Sequence, residues 1–205
     1  MKTTLFFDLF DTLVKVDRGY LETFFDRETD YLGDLGILKD AKITIKRLIS
    51  LHPELAQKGS IDEISKYYEN CMRKSLVEIP KNILQMLDSL KSAGYRLCII
   101  SDAAFTDILY WDESPLAQYF DKTVFSCEIG IVKPDLKLYS YALEKMGCRD
   151  NYFFIGDGGH DELKGAIFSG MTTIKAEWLI NRELGIGDKY VEHYAKTTEE
   201  LLKLV

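Results

Sequence analysis

The chain of 205 residues is 46% hydrophobic and 29% charged, the balance of a folded domain long enough to bury a sizeable core. Its 33 acidic residues outnumber 26 basic ones, and a formal net charge of -7 offers no overall positive field to gather nucleic acid or anionic lipid. The apolar run behind Lys2 is cut by Asp8, too short for a secretory leader, and no later run approaches membrane-spanning length, so the expectation is a cytoplasmic protein that binds neither nucleic acid nor membrane.

"LFFDLFDTLV", residues 5–14, opens as a short apolar strand and runs into Asp8, Asp11 and Thr12. The stretch 15–79 then reads as helices: "GYLETFFDRETDYL" spaces Tyr20, Phe24, Phe25, Tyr31 and Leu32 at a near-helical period, and "AKITIKRLISL" repeats the pattern. "SIDEISKYYENCMRKSL" opens with Ser60 and Glu63 at capping-box spacing. A further helix, "PKNILQMLDSLKSAG", starts at Pro80 and stops near Gly94.

From there the texture changes. "YRLCIIS" at 95–101 is a short apolar strand ending in a hydroxyl, and "KTVFSCEIG" at 122–130 is a third candidate strand. "LKLYSYALEKMG" is a helix closed by Gly147, "NYFFIGDGG" a strand ending in acid, "ELKGAIFSGM" a helix and "TTIKA" a last strand. Alternating strands and helices imply an α/β fold, a doubly wound parallel sheet, with residues 1–14 and 80–205 as its core and the helices of 15–79 inserted after the first strand. Cys71, Cys98, Cys127 and Cys148 show no C-x-x-C spacing and read as free thiols, with Cys98 and Cys127 in apolar runs.

Ligands of an open parallel sheet bind beyond the carboxyl ends of its strands. Four strands here end in polar residues: Asp8; Ser101 with Asp102; Lys133, just past the third; and Asp157, followed by Asp161 and Glu162. If these strands are neighbours, several carboxylates share one crevice, and their mutual repulsion calls for a cation. Hard oxygen ligands suit Mg2+, which takes one or two protein carboxylates together with phosphate oxygens, so a small phosphorylated molecule is the expected partner. Asp8 would attack phosphorus, Lys133 would neutralise charge, and Ser101 would hydrogen-bond the phosphoryl oxygens.

"DLFDTLV", "IISDA", "EIGIVKPD" and "FFIGDGGHDELKGAIFSGM" together resemble, in order and context, the four motifs of the haloacid dehalogenase-like (HAD) hydrolase superfamily, whose core is Rossmann-like. Residues 15–79 look like the helical cap that this superfamily often carries between its first two motifs. Position by position, the resemblance implies that Asp8 is nucleophile and metal ligand and that Thr12 supports its loop. Ser101 and Asp102 would hold the transferring group, and Lys133 would stabilise nucleophile and phosphoryl charge. Metal would be bound by Asp8, Asp157 and the backbone carbonyl of Phe10, with Glu162 or Asp161 as the second acid of the fourth motif. Alignment on "ELKGA" favours Glu162.

Phe10 departs from the D-x-D-x-T form of the first motif. Its ring cannot protonate a leaving oxygen, and general acid–base help is worth about 10²- to 10⁴-fold. Asp11 is one residue away, a shift that turns a side chain to a different side of the loop. An aromatic here, with Lys133 and Tyr139, also resembles the dehalogenase branch, where carboxylate attack displaces halide and no leaving group is protonated. That branch needs no metal, however, whereas Asp157, Asp161 and Glu162 remain. The sequence therefore predicts a Mg2+-dependent phosphatase, possessing a slower turnover of poor leaving groups, over two alternatives: a 2-haloacid dehalogenase-type hydrolase and a catalytically silent phosphate- or metal-binding module.

Overall fold

The structure, a computed structural model, describes residues 3–24, 41–147, 151–179 and 189–205. Among these, strands β1 (Thr4–Phe7), β2 (Arg96–Ser101), β3 (Lys122–Phe125), β4 (Tyr152–Gly156), β5 (Thr172–Ala176) and β6 (His193–Ala195) form one sheet in the order β3-β2-β1-β4-β5-β6. Every pairing is parallel. The helices are α1 (Ala41–Leu51), α2 (Ile61–Val77), α3 (Lys81–Ser92), α4 (Phe105–Ile108), α5 (Ser126–Ile129), α6 (Leu136–Met146), α7 (Glu162–Phe168) and α8 (Thr198–Leu204).

Strand side chains alternate between two apolar layers, as the period of two requires. Leu5, Phe7, Leu97, Ile99 and Ile155 pack with Ile83, Met86, Leu87 and Leu90 of α3 and Leu201 of α8. Phe6, Cys98, Ile100 and Phe154 face the other way, onto Leu138, Tyr139 and Ala142 of α6 and Leu163 and Ala166 of α7. The doubly wound α/β fold is therefore as the sequence implies. Strand order reverses between β1 and β4, which makes the gap between their carboxyl ends the crevice where such sheets bind ligands.

Between β1 and β2 the described elements are helical, and they enclose a third apolar cluster of Leu21, Ile45, Leu48, Leu55, Ile64, Tyr68 and Met72. Helix α2 starts with the expected capping box: the Ser60 hydroxyl accepts from the Glu63 amide at 3.3 Å, and the Glu63 carboxylate accepts from the Ser60 amide at 2.8 Å. The stretch read as a helix from Gly19 onward is a 3₁₀ segment over Gly19–Phe24, and Phe25, Tyr31 and Leu32 lie outside the described residues.

Two further elements differ from the sequence reading. The third strand stops at Phe125, where Ser126–Ile129 turn into α5, closed by Gly130 at φ +76°. The Ser126 hydroxyl accepts the Ala103 amide at 2.9 Å, a tie to the β2 loop that draws the chain out of the ladder. Strand β6 was not foreseen: its three residues are mostly exposed and carry no apolar alternation. Cys71, Cys98 and Cys127 form no disulfide, Cys127 is buried in α5 rather than in a strand, and Cys148 lies outside the described residues. Among the described residues no helix is long and apolar enough to cross a membrane.

Candidate active site

Asp8 is the first residue past β1, and its amide still donates to the Ile155 carbonyl at 2.8 Å, so the ladder to β4 fixes where its carboxylate begins. The next residues fold back on themselves. Asp11 takes a left-handed φ of +60° and donates its amide to the Val14 carbonyl at 2.7 Å, while the Leu13 and Val14 amides return to the Leu9 carbonyl. The turn brings the Thr12 hydroxyl to 3.4 Å from Asp8 Oδ2. Phe10 is partly buried and packs against both the sheet core and the cluster of the helical block, so its ring joins two apolar bodies directly beside Asp8.

The residues picked from four separate segments converge. Lys133 Nζ donates to Asp8 Oδ1 and to Glu162 Oε2, each at 2.6 Å, and all three side chains are buried. Asp102 Oδ1 accepts the Lys133 backbone amide at 2.9 Å, which fixes the lysine loop to the tip of β2. Asp157 accepts the Gly159 amide at 3.1 Å, and Gly158 donates to Glu162 Oε1 at 3.0 Å. Ser101 is fully buried at the end of β2, with its hydroxyl 3.4 Å from the Asp102 carbonyl. Of the two acids left open in the fourth motif, Glu162 stands in the cluster. Asp161 is on the surface, its side chain 53% exposed and 3.5 Å from Lys164, and neighbouring His160 is exposed.

Glycines make room for this arrangement. A Cβ on Gly156 would fall 2.1 Å from Glu162 Oε1, and one on Gly165 would fall 2.5 Å from the Tyr139 ring. The Tyr139 hydroxyl donates to the Glu162 carbonyl at 2.8 Å, so Tyr139 braces the start of α7.

The electrostatics are unbalanced toward acid. Burial raises the Asp8 carboxyl above its ordinary range despite Lys133, and nearby Asp157 pushes the same way. Burial also lifts Glu162 well above its usual value against the pull of Lys133, and raises Asp102 to about 6. Burial alone would depress Lys133, but Asp8, Glu162 and Asp102 outweigh it and hold the ammonium well above its ordinary value. Asp8, Asp157 and Glu162 can each offer an oxygen within 4.8 Å of the others. Such a buried, all-oxygen set fits a hard divalent cation.

Several residues near the site were not legible as such. Trp178 Nε1 donates to the Thr12 carbonyl at 2.7 Å, pinning the first loop from beyond β5. Lys175 is buried on β5 with its side chain along Gly158. Tyr68 of α2 donates to Asp107 of α4, both fully buried. A cleft of about 610 Å³ lined by Lys15, Asp17, Glu22, Lys74 and Glu78 opens where the chain enters and leaves the helical block, and none of the clustered carboxylates lines it.

The family model described as haloacid dehalogenase-like hydrolase matches residues 6–176, from the first strand through the last motif. The chain belongs to this family of hydrolases. It is 32% identical over 121 residues to glyceraldehyde 3-phosphate phosphatase of Methanothermobacter thermautotrophicus, a match covering 57% of this chain and 50% of that enzyme. The chain thus spans about half the length of that relative. It is 25% identical over 202 residues to pyrophosphatase PpaX of Bacillus mycoides, covering 93% of this chain and 88% of the relative. Among solved structures, a dehalogenase superposes with a TM-score of 0.77 over 100% of this chain and 97% of its own, at 18% identity, a likeness of fold.

Proposed function

We propose that this haloacid dehalogenase-like protein is a Mg2+-dependent phosphomonoesterase acting on a small phosphorylated metabolite through an aspartyl-phosphate at Asp8, with residues 15–79 serving as a cap over a core of 1–14 and 80–205. The observation that carries this reading is the buried trio of Asp8, Asp157 and Glu162. Displacement of halide by a carboxylate has no use for a cation, whereas a phosphoryl group does. Relatives with phosphatase and pyrophosphatase in their names support the same choice.

Asp8, Asp157, Glu162 and the Phe10 carbonyl would hold the metal, which when bound would neutralise phosphoryl charge. Lys133, already 2.6 Å from Asp8 Oδ1, opposes the effect of burial on the nucleophile and would meet the phosphoryl oxygens. Thr12 fixes the second oxygen of Asp8, leaving one geometry for attack. Ser101 and the Asp102 amide, at the neighbouring strand tip, bind the remaining phosphoryl oxygens.

Hydrolysis of an aryl phosphate by the native protein should require Mg2+ and fall about 10⁴-fold or more in Asp8→Asn, as loss of a nucleophile does elsewhere. Equal activity in that variant overturns the reading. The lack of a carboxyl at Phe10 favours one second reading, metal-independent halide release from a 2-haloacid, which the same preparation tests with chelator present. Thermal stabilisation by inorganic phosphate with no turnover of any ester would support the silent binding module.

A further inference from the structure

The first-motif turn has no acid where a leaving group needs one, yet the adjacent strand tip has an acid to spare. Phe7 and Ile99 are the last mutually paired residues of β1 and β2, and Phe10 and Asp102 each stand three residues past that pair. Asp102 is only 7% exposed. Its Oδ1 is occupied by the Lys133 amide at 2.9 Å, whereas its Oδ2 is buried with no hydrogen-bond partner among the described residues. An ionised oxygen left so is costly, and a neutral carboxylic acid is the cheaper occupant. The charged and titratable groups that bear on it are Lys133, Asp8 and Tyr139, and burial outweighs the lysine, so the carboxyl rises to about 6. That places both protonation states within reach near neutral pH. Asp102 also lies outside the trio that would hold the cation, so its protons are not displaced by metal.

We infer that Asp102 is the general acid and base of this site, in place of the carboxyl that Phe10 lacks. The inference rests on the phosphatase reading. In the first half-reaction Asp8 forms a bond to phosphorus as the bond from phosphorus to the leaving oxygen breaks, and the proton on Asp102 Oδ2 passes to that oxygen. In the second, water attacks the phosphorus and its proton returns to Asp102. The Asp8–phosphorus bond breaks, and inorganic phosphate departs.

The test compares native protein and Asp102→Asn, with Mg2+, on glycerol phosphate, a poor leaving group, and on dinitrophenyl phosphate, a good one. Asparagine keeps an oxygen for the Lys133 amide and puts an amide nitrogen, which neither gives up nor takes a proton in this range, in place of Oδ2. Turnover of glycerol phosphate should fall about 10²- to 10⁴-fold, the usual worth of general acid–base help. The first burst of dinitrophenolate should fall less than about tenfold, with phosphorylated Asp8 accumulating because its hydrolysis lacks a base. The basic limb of the native pH–rate profile for the alkyl ester should vanish in the variant. Native-like turnover of glycerol phosphate in Asp102→Asn overturns the proposal, and so does an equal loss on both esters. Should that variant not fold, the native protein decides by itself: a shallow dependence of rate on leaving group supports an internal acid, and a steep one refutes it. Native protein without Asp8-dependent hydrolysis of either ester would instead overturn the phosphatase reading, and this role with it.

Discussion

At the carboxyl ends of β1, β2 and β4, buried carboxylates crowd the buried Lys133 ammonium, whereas among the described residues of the helical block between β1 and β2 the buried side chains are mostly apolar and each ion pair has an exposed partner. Lys42 and Asp62 of the block approach to 2.7 Å with side chains 58% and 75% exposed, a pair that solvent screens and that contributes little. Lys133 with Asp8 and Glu162 is the opposite case: water is excluded, desolvation is not recovered, and the carboxylates are pushed toward their neutral forms. The block is assembled for packing. The strand tips are assembled at a cost to stability, the kind of cost that clusters at functional sites.

The sharpest way to break this contrast is through pH. Asp102 is raised from 3.8 to about 6 in the folded chain, so between those values the folded state holds a proton that the unfolded state has released. This stabilising contribution, at most about 3 kcal/mol, is complete below pH ~4 and is lost as pH rises through about 6. Asp8 and Glu162 shift in the same direction. Urea unfolding of the metal-free protein should show native stability falling relative to Asp102→Asn between about pH 4 and 6.5 and levelling off above that. Mg2+ should raise the native melting temperature more at the higher pH, where the cluster is ionised. Parallel pH dependences in the two proteins would mean that the strand tips are no more strained than the surface.

A smaller effect sharpens the comparison by packing. A Cβ on Gly165 would lie 2.5 Å from the Tyr139 ring, whose hydroxyl braces the Glu162 carbonyl. Gly165→Ala should therefore destabilise by about 1–3 kcal/mol, although alanine is the better helix former, and should weaken Mg2+ binding measured by calorimetry. Unchanged affinity would show that the position of Glu162 does not depend on that contact.

The strand tips were legible in the sequence because topology carries them: a polar residue at the carboxyl end of an apolar strand stands at the mouth of a parallel sheet, which is why the positions of Asp8, Ser101 and Asp157 could be anticipated without coordinates. Lys133 was legible through its motif. The choice between Glu162 and Asp161 needed the structure, since the turn at Gly158, His160 and Asp161, all at positive φ, decides which acid faces inward and no periodicity encodes it. Trp178, Lys175 and Asp107 were illegible for another reason. Each meets its partner across a long sequence separation, and an indole, an ammonium or a carboxylate in a loop or short element gives no local signal of burial. The short strand β6 failed by length, three residues being too few to show alternation.

One buried polar contact crosses between the two regions and supplies the finest test of their independence. Tyr68, inside the apolar cluster of the block, donates to Asp107 Oδ1, and Asp107 Oδ2 accepts the Ala104 amide at 2.7 Å, two residues past Asp102. Tyr68→Phe keeps the ring and deletes the donor, leaving a fully buried carboxylate with one partner fewer, so stability should fall by about 1–2 kcal/mol. The adjacent control is Ser65→Ala on the same helix. Its hydroxyl is buried with no partner among the described residues, so its removal should cost less than about 0.5 kcal/mol. If the contact also holds the β2 loop in register with the block, Tyr68→Phe should raise KM for an aryl phosphate and speed hydrogen exchange at the Ala104 amide, whereas Ser65→Ala should change neither. Loss of stability with both of those readings unmoved would make the tyrosine a packing residue with a satisfied hydroxyl, and the helical block a body that folds beside the site without steering it.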